Sequence, residues 1–221
     1  MLLIADIMVK LNSGDLVRIA FTGRRSSDQV IFETTDDKVA RETGIFDPKA
    51  VYGPRLVIID RGMMLPGLEA GVRQMEAGQT GKVNIPFSMA FGPRHKELVR
   101  IMPEREFAKQ GVTPAPGLTL SMDGLPARVK SNSSGRVVLD FNHPLAEQDL
   151  TYVINLIEVI SEPSAKIKAL AEQQGINVTI TSEKGKNVVS IPKGTRPELA
   201  EILGNMFRAS VGDWAGVRIE K

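Results

Sequence analysis

The residues that most often carry enzyme chemistry are few and scattered in this 221-residue chain. There is no cysteine, which excludes thiolate catalysis, disulfides and cysteine metal sites and fits a reducing interior. The two histidines, His95 and His143, lie far apart without zinc-binding spacing, and His143 is more simply a brace for its own turn. Serines such as Ser88 and Ser133 lack the G-x-S-x-G pattern of a nucleophile, and no P-loop is present. We therefore expect no metal and no cofactor, and a site built from apolar side chains.

The most informative segment predicts an amphipathic helix followed by a strand. Leu68, Val72 and Met75 fall at i, i+4 and i+7, so they share one apolar helical face. Gly78 stands where a left-handed helix stop is expected, and residues 82–86 alternate like a half-buried strand. An ordinary surface helix of an α+β protein remains the alternative interpretation of this pattern.

Glycine, proline and serine divide the chain into three parts. The first part predicts strands at residues 17–21, 30–32 and 56–59. About 45 residues after Gly92 then form an inserted unit, because that length far exceeds an ordinary connection. The insert predicts a strand at 98–102, a helix at 103–110 and strands at 118–122, 127–130 and 137–141. The first part resumes at Leu150.

The third part, from Pro163 onward, predicts an α-β-β-α-β unit. The predicted elements are a helix at 164–174, strands at 176–181 and 188–191, and a last strand with Trp214 and Val217. A capping box at 195–198 is expected to open the second helix, which extends to about Ser210. This helix has an apolar side that two short strands do not cover, so we expect a neighbour there, either the first part or a second copy.

Composition limits the partners of the chain. With 42% hydrophobic residues it has enough core material for compact folding, and a net charge of +2 with interspersed acids does not indicate nucleic acid binding. The apolar N-terminal residues 1–4 are too few for a signal sequence, and no run approaches the ~20 apolar residues of a membrane helix. We expect a cytoplasmic protein without a membrane span.

Three ordered motifs resemble the FKBP family of peptidyl-prolyl isomerases. Residues 64–69 (M-L-P-G-L-E) and 90–92 (A-F-G) resemble the V-I-x-G-x-E and A-Y-G or A-F-G segments around the only barrel helix. Residues 142–146 (N-H-P-L-A) resemble the hinge of SlyD-like FKBPs, with Glu147 in place of the usual glycine. Residues 32–54 look like the enlarged bulge of the long archaeal FKBPs.

This resemblance implies the fold class and the domains. The fold would be α+β: an FKBP-type antiparallel half-barrel around one short helix, with a small β-rich flap insert and a C-terminal α/β domain. The isomerase domain would comprise residues 1–92 and 139–162, the insert-in-flap chaperone domain 93–138, and the C-terminal domain 163–221.

The implied function is cis/trans isomerisation of Xaa-Pro bonds in unfolded or partly folded chains, with chaperone activity from the insert. The catalytic residues implied are Phe21, Phe32, Glu33, Leu65, Phe91 and Tyr152. The substrate-binding residues implied are Met63, Met64 and Leu68 at the pocket and Leu98, Ile101, Met102, Leu118, Leu120 and Met122 in the insert. By the same resemblance, the N–H of Leu65 holds the substrate carbonyl. The implied partners are proline-containing polypeptides. Composition adds the expectation of no nucleic acid and no membrane, and the uncovered apolar side of the second C-terminal helix adds that of a homodimer through the C-terminal domain.

Five positions depart from the usual FKBP pattern. Phe21 and Phe91 replace tyrosines, which makes the pocket drier, and Leu68 replaces the tryptophan floor. Glu33 replaces an aspartate and is one methylene longer, while Asp60 stands at a common glycine position. The missing hydroxyls leave a second hypothesis open, a non-catalytic holdase that only binds unfolded chains.

Overall fold

The computed structural model describes residues 11–109, 111–183, 186–212 and 215–219. These residues form two compact units, one containing the described residues up to Ile85 and from Leu150 onward, the other Pro86–Asp149. The first unit begins with β1 (Leu16–Arg25), β2 (Ile31–Thr34), α1 (Asp37–Glu42), β3 (Arg55–Ile58), α2 (Pro66–Val72) and β4 (Gln79–Ile85). The second unit contains β5 (Val99–Pro103), α3 (Glu104–Ala108), β6 (Thr119–Met122), β7 (Leu125–Ser133) and β8 (Arg136–Asp140). The first unit resumes with β9 (Leu150–Ile160), α4 (Pro163–Gln173), β10 (Thr179–Glu183), β11 (Lys186–Ile191), α5 (Pro197–Val211) and β12 (Ala215–Ile219).

An antiparallel sheet of order β2-β1-β9-β4, with β3 also paired to β1, is the framework of the first unit. The long strands β1 and β9 pair from Leu16 and Ile160 to Arg25 and Leu150. From Tyr152 to Ile157 of β9 the side chains alternate between buried and exposed, as expected for a strand with one face on the core. The chain is therefore a mixed α/β protein built on antiparallel sheets.

Helix α2 packs closely against the sheet but is shorter than its apolar pattern predicts. A Cβ on Gly71 would lie 2.6 Å from Val83 Cγ1, so only glycine permits this approach to β4. The helix ends at Val72, and the expectation that Gly78 stops it is wrong. Gly78 instead turns the chain into β4 at φ +82° and donates its N–H to the Leu156 carbonyl at 2.6 Å. Met75 is buried from the intervening turn, so its apolar spacing does not require a helix.

The second unit is a sheet of order β5-β8-β7-β6 with one short helix. Asp123-Gly124 and Ser134-Gly135 form its hairpin turns, and all four have the positive φ that type I′ turns require. Its buried core is formed by Phe107, Ala127, Val129, Val137 and Leu139. The helix predicted to extend to Gln110 ends at Ala108 as far as it is described, since Gln110 lies outside the described residues.

The C-terminal part has the predicted α-β-β-α-β order, with β10 antiparallel and β12 parallel to β11. The capping box is wrong: Thr195 Oγ1 donates to the Pro192 carbonyl at 2.8 Å, and Arg196 caps α5 without a side-chain hydrogen bond. Trp214, expected in the last strand, and residues 184–185 between the two predicted strands lie outside the described residues.

The apolar side of α5 is covered within the same chain. Leu203 and Phe207 are buried in one cluster with residues of α4 and with Leu16 and Ile58 of the first sheet. The apolar side of α5 is therefore covered by α4 and β12, in a cluster that extends to the first sheet. None of the described helices is long and apolar enough to cross a membrane.

Candidate active site

Three aromatic rings on β1, β2 and β9 form what we call the aromatic floor: Phe21, Phe32 and Tyr152. The Tyr152 ring lies 5.9 Å from both phenylalanine rings, tilted by 57° to Phe21 and by 83° to Phe32. Gly23 makes this packing possible, because a Cβ there would lie 2.7 Å from Tyr152 Cε1 and 3.0 Å from Phe32 Cζ. The sequence signal for Gly23 was available, two residues after Phe21 in the same strand, but the site prediction missed it.

Glu33 is tied to the floor by the Tyr152 hydroxyl, which donates a hydrogen bond to its carboxylate. Tyr152 is fully buried, and burial together with this hydrogen bond raises its pKa far above the usual range. Glu33 is half-buried rather than fully solvated. The raised pKa keeps the Tyr152 hydroxyl protonated, so that it remains the donor in this pair.

The backbone of Phe21 is fixed by two threonines of the following strand. Its N–H donates to Thr35 Oγ1 at 2.9 Å, and its carbonyl accepts from the Thr35 N–H at 2.9 Å. The hydroxyl of Thr34 also donates to this carbonyl at 3.3 Å. The guanidinium of Arg55 lies 5.4 Å from the Phe21 ring, within cation–π range. These contacts hold one side of the floor rigidly.

Residues 59–65, which we call the pocket loop, lead from β3 into α2. Asp60 has φ +61°, which explains why glycine is common at this position in the family pattern. Its N–H donates to Glu69 Oε1 at 3.0 Å, and its carboxylate pairs with Arg73, which lowers the pKa of Asp60. Met63 Sδ accepts the Ile58 N–H at 3.3 Å. The charge of Asp60 is thus balanced by Arg73 at the C-terminal end of α2.

The pocket residues assigned from the resemblance differ in exposure. Leu65 is half-buried and caps α2, and its carbonyl accepts the Glu69 N–H at 3.0 Å. Met64 is also half-buried, while Met63 is 46% exposed and Leu68 is only 4% exposed. Leu68 is therefore a core residue of α2 rather than an open wall.

The predicted catalytic residue Phe91 lies in the second unit. Its ring stacks on His143, with 4.0 Å between ring centroids and an angle of 8°. His143 Nδ1 accepts the Leu145 N–H at 3.1 Å, which confirms that this histidine braces its turn. Desolvation lowers the pKa of His143, so the neutral ring is favoured.

A polar network holds the ends of the insert together. Asn142 accepts the His95 N–H at 2.8 Å and donates to the His95 carbonyl at 3.0 Å. Buried Asp140 pairs with Arg94 and accepts from the Asn142 N–H at 2.9 Å. Glu147 takes φ +64° and donates its N–H to the Gly92 carbonyl at 2.7 Å. The glycine of the family pattern is thus replaced by a residue in a strained glycine conformation.

The predicted peptide-binding residues of the insert fall into two groups. Met102, Leu120 and Met122 pack against its core, so they contribute to folding more than the sequence suggested. Ile101 and Leu118 are 65% and 43% exposed, and Leu98 is half-buried. Leu125, which the prediction missed, is 60% exposed directly after the Asp123-Gly124 turn that marks it.

Packed apolar side chains dominate this arrangement, which offers little for bond-breaking chemistry. Among the described residues, no three His, Asp or Glu side chains come together in a way that could hold a metal ion. The fold and the floor therefore define a mixed α/β protein with a packed aromatic cluster and one carboxylate beside it.

Comparisons with known proteins identify the family of this mixed α/β protein. A family model for the FKBP-type peptidyl-prolyl cis-trans isomerase matches residues 9–117, and one for the FKBP26 IF domain matches residues 100–145. The short-type peptidyl-prolyl cis-trans isomerase of Methanocaldococcus jannaschii is 30% identical over 67% of this chain and 94% of that protein. The SlyD isomerase of Treponema pallidum is 28% identical over 58% of this chain and 76% of its own.

The chain therefore belongs to the FKBP-type peptidyl-prolyl cis-trans isomerase family, and prolyl isomerisation is its class of activity. Members of the family act on proline-containing polypeptides. Among solved structures, the N-terminal domain of FKBP42 from Arabidopsis thaliana covers 68% of this chain and 76% of its own, with a TM-score of 0.37 and 16% identity, which is too low to carry an argument.

Proposed function

We propose that the isomerase reaction takes place over the aromatic floor, with the pocket loop as its second wall. The observation that carries the proposal is the packing of Phe21 and Phe32 around a buried Tyr152 whose hydroxyl is committed to Glu33. A rigid, apolar surface of this kind accepts a proline ring and removes water from it.

Isomerisation requires no reactive side chain. Rotation about an amide is opposed by a barrier of about 18–20 kcal/mol, because planarity carries the resonance of the bond. An apolar site that excludes water and donates one hydrogen bond to the carbonyl favours the twisted amide over the planar one. Lowering the barrier by about 4 kcal/mol accelerates exchange roughly a thousandfold.

The N–H of Leu65 is the proposed donor to the substrate carbonyl. Leu65 has extended backbone angles, φ −59° and ψ 142°, at the N-cap of α2. Its carbonyl is used by the first helical turn, whereas its N–H has no acceptor among the described residues. A donor at this position is available to a ligand without breaking the helix.

Phe32→Ala tests the location of the reaction. Magnetisation-transfer NMR on a short Xaa-Pro peptide should show a kcat/KM that is lower by about tenfold or more. The reason is that the ring that packs edge-on against Tyr152 is lost. Phe46→Ala is the matched control, since Phe46 stacks on Tyr52 instead. A folded Phe32→Ala variant with wild-type kcat/KM would place the reaction elsewhere.

For the insert, residues 93–138, we propose binding of unfolded chains as an insert-in-flap chaperone domain. Support comes from the exposure of Ile101, Leu118 and Leu125 on a unit with a small core. Changing these three residues to serine should abolish suppression of aggregation of an unfolded test protein. Val30, Val51 and Ile202 are comparably exposed in the first unit, and their triple serine variant should retain it. Equal suppression by both variants would refute the assignment.

A holdase without catalysis is the second candidate. One observation favours it: the carboxylate beside the floor is already engaged by Tyr152. An unchanged Xaa-Pro exchange rate at high protein concentration, with a folded spectrum, would select this function over the isomerase.

Self-association through the C-terminal part stays a separate proposal with reduced support. Leu203 and Phe207 are buried within the chain, and Ile202, 52% exposed, is the main apolar residue that α5 leaves open. Light scattering at micromolar concentrations tests it, and a monomer would reject it.

A further inference from the structure

The pocket loop is held on two sides, by α2 and by the end of α5. We propose that Arg61 and Lys166 are positioning residues through which the C-terminal part fixes the pocket loop for isomerisation. This inference rests on the proposed location of the reaction over the aromatic floor. Residues after Pro163, which are distant along the chain from the pocket loop, would thereby contribute to the reaction.

Arg61 makes the direct connection. Its Nε donates to the carbonyl of Ala209 at 2.9 Å, and Ala209 belongs to the last turn of α5. The last carbonyls of a helix lack intrahelical partners and carry partial negative charge, so a guanidinium there is favourable. Arg61 stands between Asp60 and Gly62, which both have positive φ, so the loop takes its path from side-chain anchors rather than from regular structure.

Lys166 makes the second connection from within the core. Its side chain is only 8% exposed, and its Nζ donates to the Gly14 carbonyl at 2.7 Å and to Asp15 Oδ1 at 3.2 Å. The carbonyl of Ser210 lies 3.5 Å from the same nitrogen. One ammonium group thus joins α4, the end of α5 and the residues before β1. Burying this charge is tolerable only because all three partners are present.

The residues that Lys166 binds are the ones that hold the start of the pocket loop. Gly14 donates its N–H to the Ile59 carbonyl at 3.0 Å, and Ile59 returns its N–H to the Asp15 carbonyl at 2.9 Å. Ile59 is fully buried, so its position is set by these bonds and its packing. A shift of Gly14 and Asp15 after loss of Lys166 would therefore be transmitted to the loop.

On its other side the loop is anchored to α2 by the contacts of Asp60 with Glu69 and Arg73. These contacts stay when the α5 anchor is removed. The loop should then remain attached but less well positioned, with the Leu65 N–H displaced from the geometry that the twisted amide needs. Misplacement of about 1 Å can cost up to a hundredfold in rate, and loss of one surface anchor should cost less.

Arg61→Ala tests the positioning role without touching the core. We expect about a three- to tenfold lower kcat/KM, mainly through kcat, because the Leu65 donor acts on the twisted amide more than on the bound ground state. Arg61→Lys, which can still reach a carbonyl, should restore part of the rate. Arg218→Ala is the matched control, because it removes the ion pair with Glu183 inside the C-terminal part. It should leave the rate unchanged.

Hydrogen exchange supplies a readout that does not depend on activity. The amides of Ile59 and Asp60 should exchange faster in Arg61→Ala than in wild type, and Lys166→Met should accelerate them further. Wild-type exchange and wild-type kinetics in a folded Arg61→Ala variant would overturn the proposal. An inactive wild-type protein would refute the proposed reaction but not the Arg61 contact. In that case, faster hydrogen exchange of the pocket loop in Arg61→Ala would still support the contact, and unchanged exchange would reject it.

Discussion

The two units of the molecule use the same kinds of apolar residues in different ways. In the first unit, one cluster of twelve buried residues joins the first sheet to the C-terminal helices, and three aromatic rings are packed into a fixed floor. The core of the second unit contains five buried residues, and Ile101 and Leu125 on its strands are 65% and 60% exposed.

This difference separates two kinds of binding. A reaction that depends on the geometry of one amide needs side chains fixed by dense packing on all sides. Binding many unfolded sequences needs exposed apolar groups with few geometric demands. We therefore expect that isomerisation and the binding of unfolded chains can be removed independently.

The largest effect should come from the small core of the insert. Phe107 is 2% exposed at the centre of that core, and Phe107→Ala should cost about 3–5 kcal/mol of the unfolding free energy of this unit. Amides of residues 99–140 should lose hydrogen-exchange protection while those of β1 and β9 keep it. Loss of protection in both units together would show that they do not unfold separately.

A smaller effect on the unfolding free energy is expected at the aromatic floor. A Cβ on Gly23 would overlap the Tyr152 ring, so Gly23→Ala should lower the unfolding free energy of the first unit by about 2–3 kcal/mol and reduce isomerase activity. Gly81→Ala is the control, because its Cβ would lie 3.3 Å from the flexible end of Met75. Chemical denaturation of both variants checks this, and equal costs would argue against a rigid floor.

Tyr152→Phe should cost about 1–2 kcal/mol, because Glu33 loses its hydrogen-bond partner in a half-buried place. The pH dependence adds a second signature. Since burial and the hydrogen bond to Glu33 raise the pKa of Tyr152 in the folded state above its ordinary value of 10.0, its stabilisation is complete below pH 10 and is lost as the pH rises further. Unfolding free energies of wild type should therefore fall above pH 10 more steeply than those of Tyr152→Phe. Parallel curves would contradict a buried, neutral tyrosine.

The smallest effect should be a gain at the hinge. Glu147 has φ +64°, which costs roughly 1 kcal/mol for a residue other than glycine, so Glu147→Gly should stabilise the second unit by about that amount. Glu147→Ala removes the same carboxylate without relieving the backbone. If both variants are equally stable by thermal unfolding, charge rather than conformation decides the effect at this position.

Much of the fold could be predicted because its signals are local. Strands β1, β7 and β9 follow period-two alternation over part of their length, and the turns at Gly124 and Gly135 follow glycine at the required positions. The helix before Gly78 was predicted too long, because Met75 reaches the core equally well from a turn. The predicted capping box at Thr195 was wrong because the Thr195 hydroxyl donates to the Pro192 carbonyl instead.

The site could be predicted only in part, because its contacts join distant residues. The resemblance supplied Phe21, Phe32, Glu33 and Tyr152, which the structure brings together. The bond between Tyr152 and Glu33 spans 119 residues, and no periodicity reveals such a partner. The same holds for the neighbour of α5, since an apolar face does not encode what covers it.

We expect that isomerisation takes place on the first unit and does not require residues 94–141 of the insert. Replacing residues 94–141 by a four-residue glycine-serine linker would keep the Phe91 and His143 stack and the bond from Glu147 to Gly92. Magnetisation-transfer NMR on a short Xaa-Pro peptide should then give an exchange rate close to that of wild type, with suppression of aggregation lost. A shortened chain that keeps a folded spectrum and does not accelerate exchange would contradict the account.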